Sequence, residues 1–459
     1  MKNAKKHFKN ISFALVIATT AFSCQKMIET PPPNEILVED AVNTADDLQK
    51  LLNSSYNEMA NSFGGFYQSL AEIMSDNLSL PNNNDYREVY NHNVLFFNST
   101  SGGFYSLLYR GIFRANFVQE HISDVPNLDP AVKDRIVGEI AFIRALGHFT
   151  AVRMYAQPYG YTADNSHDGI AVMTKVSTTP QKRETVAVAY QAILADLNTA
   201  VSLLPNSNGG YATKWAAKAL LAQVQFQMGD YTNAAANSGD VINSGEFTFS
   251  DTVNLFTPQA YGEHIFSIIS FGVNDQRSGG FTANFALGVP TCQLDKEVYA
   301  SLQDKTTDKR LKLLTVVNAG AQNEFIKTTQ FDAPFFNVPV LHLTLMHLIR
   351  AESLAKINSD LSTAINDVNK IITRATIGTP NLVANNATST EILTAVRSER
   401  RKELLFQGDR IHEVKRLGAI EGQSLFIRGR AWNCKGMLMQ FPITEKTDEF
   451  NINPTGGCE

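Results

Sequence analysis

Residues 213–247 read TKWAAKALLAQVQFQMGDYTNAAANSGDVINSGEF. Ala217, Leu220, Leu221, Val224 and Met228 recur at the three- and four-residue steps of one helix face. Gly229-Asp230-Tyr231 interrupts the pattern as a turn, and Ala234, Ala235, Val241 and Ile242 resume it on a second helix. Ala222 and Ala234 are small enough to let the two helices approach closely. The stretch therefore predicts an antiparallel helical hairpin, and the chain a mostly α fold.

Leu221-Ala222, Gly229-Asp230-Tyr231 and Ala234 sit at tetratricopeptide-repeat spacing. Residues 341–356 and 361–375 predict a second such pair, with Asn358-Ser359-Asp360 at the bend. Upstream, Leu48, Leu51, Leu52, Ser55 and Met59 follow helical spacing behind a capping signal, Thr44 with Asp47 three residues later. Further helices are expected over about 104–122, after Pro130, and over 184–204 before Pro205. Two segments have another texture. Residues 75–103 and 248–340 are rich in Asn, Thr, Gly and aromatics with only short strand-like pieces, and loops this long are functional or disordered. Their aromatic content favours function. The expected organisation is one domain over 44–459, with helix pairs at about 139–247 and 341–375 and the two loop-rich segments between them.

The N-terminus reads as an address. Residues 1–10 carry Lys2, Lys5, Lys6 and Lys9 and no acid, and Ile11 to Phe22 is apolar, long enough for a signal core and too short to span a bilayer. Ala21-Phe22-Ser23-Cys24 is similar to a bacterial lipobox, which predicts a signal peptide over 1–23 and a lipid on Cys24. The alternative is an ordinary secretory peptide cut nearby, leaving Cys24 a free thiol. Pro31-Pro32-Pro33 makes 24–43 an extended tether that cannot become helix. Nothing after this segment is a run of about eighteen apolar residues.

The 459 residues carry a net charge of −5, and Lys and Arg are interleaved with acids without forming a basic stripe, which argues against nucleic-acid binding. The cysteines are Cys24, Cys292, Cys434 and Cys458, with no CxxC pair. Cys434 and Cys458 can form a disulfide in an oxidising compartment, and with Cys292 also available the pairing stays open. No nucleophile elbow, phosphate loop or dinucleotide fingerprint occurs. His342 and His347 are five residues apart and diverge by about 140° on a helix, unlike an i, i+4 metal pair. No catalytic residue, cofactor or metal site is expected, although a dispersed carboxylate pair leaves no local signature.

The residues together resemble the SusD/RagB family. Ser23-Cys24, Glu29 and the prolines, then Asp47-Leu48 and Tyr56, look like its beginning. Ser75-Asp76-Asn77, then Tyr109, Ile112 and Ala115-Asn116, are similar to its next landmarks. Glu139 to Ala145 resembles its Glu-x-x-Phe-x-Arg-Ala helix, and Val338-Pro339-Val340 into Leu348 to Glu352 its late helix. Glu399-Arg400, Glu403-Leu404, Phe406, Gly408, Arg410 and Lys415-Arg416 look like its C-terminal signature, followed by Phe441-Pro442-Ile443 and Asn453-Pro454. His342 and Leu345 stand where that family usually has Arg and Glu, and Gln407 where Glu is common; these departures bear on one buried salt-bridge network and not on the fold. Glu399, Arg400, Glu403 and Arg410 are expected to pair structurally, since buried ions need partners.

The resemblance implies a lipoprotein anchored to the outer membrane and facing the exterior. It also implies a partner, a SusC-like TonB-dependent outer-membrane transporter, and an oligosaccharide or, in some members, a peptide as ligand. A surface-anchored hydrolase and a structural repeat adaptor are the rival classes. Sugar sites pair aromatic rings with amide or charged side chains. That mixture is concentrated at Asn84, Tyr86, Arg87, Tyr90 and Phe96 in the first loop-rich segment and at Tyr261, Arg277, Phe281 and Asn284 in the second. Phe96 and Phe281 can equally plug the loops onto the core. Trp215 opens a repeat helix, where packing is the expected role, and Trp432 is left open.

Overall fold

The structure is a computed structural model describing residues 42–458 other than 82–85, 178, 275–276 and 303–305. The signal peptide, Cys24 and most of the proline tether lie outside the described residues, as does Asn84.

The chain opens with α1 (Ala45–Phe63), capped by Thr44, whose side chain accepts from the Asp47 amide while Asp47 reaches back. After a two-glycine corner come α2 (Phe66–Met74), β1 (Leu78–Ser79) and the single turn α3 (Arg87–Tyr90). Next are α4 (Ser99–His121), capped by Asn98, and α5 (Pro130–Tyr155), with Pro130 in its first turn and Asp129 as cap. The second half of α5 is buried on nearly every side, as a helix at the centre of a bundle must be. Helices α6 (Val186–Leu203), α7 (Lys214–Met228) and α8 (Tyr231–Ile242) follow. Gly229 ends α7 at φ +78°, a left-handed C-cap that glycine adopts without strain, and Asp230 caps α8 directly. Ala222 and Ala234 are fully buried between these two.

The chain then leaves the bundle through β2 (His264–Ile268), the turn α9 (Gly279–Phe281), β3 (Gln293–Leu294), α10 (Lys296–Ser301), β4 (Leu314–Val317), β5 (Phe325–Thr328) and β6 (Val338–His342). It returns as α11 (Leu343–Lys356) and α12 (Leu361–Ala375), then α13 (Ser389–Glu403), α14 (Arg410–Glu421) and the hairpin β7 (Phe426–Ile427) and β8 (Arg430–Ala431). Each long helix packs on the next: α1 on α4, α4 on α5, and so on to α8, which packs on α11 and α11 on α12. Residues 243–342 are thus an excursion between two hairpins that stack directly. Helix α6 is long and apolar enough to cross a membrane by length and composition, yet it packs between α5 and α7.

The two loop-rich segments form one layer. A four-stranded antiparallel sheet of order β1-β3-β5-β4 pairs Leu78 with Leu294, joining residues 75–103 to residues 248–340. Beside it, Phe256, Phe281, Phe285, Phe331, Phe336 and Phe406 close on one another with centroid separations such as 4.6 Å for Phe281–Phe331 and 4.8 Å for Phe256–Phe331. Much of the aromatic content of the second segment is therefore a small core of its own. A segment without repeat helices still has to bury apolar surface to stay ordered.

Cys434 and Cys458 form a disulfide across Cα atoms 5.5 Å apart, and Cys292 is a buried free thiol. Under this C-terminal cover lies Lys415, 1% exposed, whose ammonium donates to the Met437 carbonyl at 2.6 Å. Burial pulls its pKa down to about 7. Because the folded protein holds this proton less tightly than the unfolded chain, stability should rise with pH from about 7 toward the ordinary lysine range. Lys415→Met is expected to raise stability by about 1–4 kcal/mol at about pH 6, the range seen when buried ions give way to apolar side chains. The gain should shrink by about pH 9. Urea titrations at both pH values read this, and a destabilised variant would show that the lysine has a partner worth more than its burial costs.

Candidate functional site

The α1–α2 corner is made by Gly64 and Gly65. Gly65 has φ +110° and ψ −14°, in the range that disfavours residues with a side chain. A Cβ on Gly64 would stand 2.1 Å from the Arg277 carbonyl oxygen, and one on Gly65 2.4 Å from the Phe281 amide nitrogen. The corner accordingly presses backbone to backbone on the 277–281 segment, and the Gly280 amide donates to the Gly64 carbonyl at 3.1 Å.

This contact shapes an open dish of about 510 Å³, walled by Ala60, Asn61, Gly64, Phe66, Asn274, Arg277, Gly279 and Gly280. Phe66 is half-buried, its ring edge-on to Phe104 at 5.4 Å. Arg277 is held at the wall by a 2.6 Å bond to Asn57 Oδ1. The loop that supplies Asn274 and Arg277 also carries Phe271, 81% exposed. One supported ring, one oriented guanidinium and two amide side chains around a shallow glycine-walled hollow suit a ligand with an apolar face and many hydroxyls.

Of the described residues singled out from sequence, Arg277 alone lines this dish. Phe281 is fully buried in the phenylalanine core, and Asn284 is buried with its amide donating to Ser69 Oγ at 2.9 Å, so neither is presented to a ligand. Tyr261 is partly buried, and its hydroxyl accepts from the Asn337 amide at 2.9 Å. In the first segment the Tyr90 ring is covered by the Arg428 guanidinium at 4.1 Å from its centroid, with Arg87 at 5.6 Å. Arg428 also donates to the carbonyls of Ile73, Ser75 and Tyr90. Tyr90 therefore reads as a packed residue whose loss would cost stability. Tyr86 and Phe96 are half-buried. Phe97, stacked at a tilt on Phe96 at 4.3 Å, is the exposed ring of that pair at 76%. Trp432 lies flat against Gly418 with the Tyr161 ring edge-on at 6.4 Å, and Trp215 is partly buried.

Sequence reasoning missed Asn61, Phe66 and Asn274. Asn61 and Phe66 sit at helix ends that read as ordinary packing positions. The pointer was Gly64-Gly65, a glycine pair between two helical patterns with aromatic and amide residues on either side.

The charged landmarks of the sequence are structural. Asp76 takes Arg410 at 2.9 and 3.1 Å and Arg401 at 3.4 Å. Asn77 and the Gly408 amide both donate to Glu72, whose carboxyl is pushed up by burial to about 7. Arg400 pairs with Asp409, Arg416 with Glu352, and Arg144 with Asp196. Arg310 binds Asp308, Glu399 and Glu403, and Arg374 binds Glu263 and Glu403. His342, which replaces a member of the expected network, caps α11 by accepting from the Leu345 amide at 3.2 Å. His347 pairs with Asp367 at 2.6 Å. Among the described residues, no group of three or more His, Cys, Asp or Glu side chains is placed to share a metal ion.

Two family models match. Residues 28–226 match one described as starch-binding, associating with the outer membrane, and residues 328–431 match the SusD family model. SusD-like protein P2 of Formosa agariphila is 23% identical over 88% of this chain and 89% of its own. Similar in fold are a SusD superfamily protein of Bacteroides thetaiotaomicron, with a TM-score of 0.76, 24% identity, and coverage of 90% of this chain and 100% of that one, and a laminarin-binding SusD-like protein, with a TM-score of 0.71, 19% identity and the same coverage.

Proposed function

Because the chain belongs to the SusD/RagB family, we propose that it is a non-catalytic surface protein that binds a glycan and delivers it to a SusC-like TonB-dependent outer-membrane transporter. The observation that carries the binding reading is the dish, where Phe66 offers a ring face and Arg277, Asn61 and Asn274 offer hydrogen bonds. Support for a glycan comes from the starch-binding description of the matching model and from the laminarin-binding structural neighbour. The anchor rests on the lipobox-like Ser23-Cys24. Cys24→Ser is the matching test, because the variant should no longer partition with membranes.

A panel of laminarihexaose, maltohexaose, cellohexaose and xylohexaose, titrated calorimetrically, tests the binding reading. At least one should bind the wild type. Arg277→Ala should weaken that binding by about 1–3 kcal/mol, the loss typical of an oriented contact at the centre of a site. Unchanged affinity in Arg277→Ala would move the site away from the dish, and shorter saccharides appearing during incubation would make the protein a hydrolase. Affinity capture from mild detergent extracts should recover a TonB-dependent barrel, and repeated recovery of the protein alone would count against the partnership.

A further inference from the structure

A cavity larger than the dish lies elsewhere. A cleft of about 890 Å³ runs between the outer face of α13 and the 376–388 loop that joins α12 to α13. Its volume lies in the range of small-ligand sites, roughly 300–1,000 Å³. Its walls are pinned. The Asn369 side chain donates to the Val383 carbonyl at 2.9 Å and accepts from the Val383 amide at 2.8 Å, holding the middle of the loop. At the other end the Ile377 amide donates to the Thr307 carbonyl at 2.7 Å, and Thr388 and Glu391 close a capping box on α13. The cleft is thus present before any ligand arrives.

Its chemistry narrows the ligand. Among the described residues no aromatic side chain lines it, so a ligand held by ring stacking is not what it suits. On its floor Lys402 sits between Glu399 at 2.8 Å and Asp308 at 3.5 Å, and Arg310 donates to the other Glu399 oxygen and to both oxygens of Asp308. Charges already neutralised in pairs favour no ionic ligand, but they present fixed donors and acceptors. Around the rim Thr379, Asn381, Asn386 and Ser398 are exposed, and their side chains make no hydrogen bond within the described residues. Uncommitted amides and hydroxyls over a neutral salt-bridged floor match a ligand that is itself neutral and rich in hydroxyls.

We infer that this cleft is a second saccharide site, independent of the dish, that takes a neutral glycan chain edge-on through hydrogen bonds. The inference rests on the glycan reading above. The test is calorimetric titration of the same hexasaccharides into the wild type, Arg277→Ala and the double variant Asn381→Ala/Asn386→Ala, with the melting temperature of each as the folding control. Both asparagines are exposed on a loop held by other residues, so the double variant should fold normally. Wild type should bind two equivalents of the recognised hexasaccharide. The double variant should lose one and keep the other, and Arg277→Ala should weaken the one the double variant keeps. A wild type that binds a single equivalent, unaffected in the double variant, overturns the second site and leaves the glycan reading standing. No binding of any panel member overturns both.

Discussion

Gly65→Ala is expected to lower stability by about 3 kcal/mol or more, at the upper end of single substitutions. Two independent terms add. At φ +110° a Cβ strains the local backbone. The same Cβ would stand 2.4 Å from the Phe281 nitrogen and 2.6 Å from the Gly280 carbonyl carbon, main-chain atoms that cannot rotate away. Relief requires the α1–α2 corner to separate from the 277–281 segment. That movement would uncover the phenylalanine core at Phe281 and take Arg277 out of register with Phe66, so binding at the dish should be lost together with stability. Gly103→Ala is the control. Gly103 lies in α4 with open space where its Cβ would go, and there alanine should gain up to about 1 kcal/mol. Chemical denaturation of the two variants reads the difference. A Gly65→Ala protein within about 1 kcal/mol of wild type would mean that the corner is not held as described.

Arg310→Met should cost about 3–5 kcal/mol near neutral pH, the usual consequence of removing one side of a buried ion cluster. Arg310 is 4% exposed and donates to Asp308 at 2.6 Å, Glu399 at 2.6 Å and Glu403 at 2.9 Å. Methionine fills similar space and supplies no charge, leaving Lys402 and Arg374 to balance the three carboxylates. The pH dependence follows from Asp308. Burial raises its pKa, but the hydrogen bonds and charge of Arg310 outweigh this and hold it below the ordinary value. A lowered carboxylate stabilises the fold above its unfolded pKa and loses that contribution as pH falls through the folded pKa. In the variant the hold of Arg310 on Asp308 is gone, so that lowering the pH costs the variant less. The gap between wild type and variant should therefore be widest near neutrality and should narrow toward about pH 4.5. Urea titrations at the two pH values provide the check, and an equal gap at both would remove the carboxylates from the explanation.

The helices were legible because their determinants are local. Thr44 and Asp47 cap α1 from three residues apart, Gly229 and Asp230 end one helix and start the next, and the apolar steps of α7 and α8 lie within single turns. The charged landmarks were legible as structural for a related reason, since acids and arginines in an otherwise buried pattern must find partners. Which partners they find was not legible. Asp76 meets Arg410, and Glu263 meets Arg374, across separations that no spacing rule reaches.

The candidate site divides along the same line. Arg277 was found because it lies among polar and aromatic neighbours, but composition gave Phe281 and Asn284 the same standing, and only burial separates them. Likewise Tyr90 looked like a platform until Arg428, from the far end of the chain, was placed over its ring. What the sequence by itself determined is the helical repeat with its caps and turns, written in contacts a few residues apart, and a family resemblance carried by landmarks spread from Ser23 to Pro454. The tertiary structure alone decided that Leu78 pairs with Leu294, which makes one layer of two distant loop segments, and that Gly64 faces Arg277, which makes a dish between the α1–α2 corner and the second of those segments. The physical reason is that helical hydrogen bonds and caps close within one turn of chain. The burial of a loop side chain is set instead by whichever distant segment arrives to cover it.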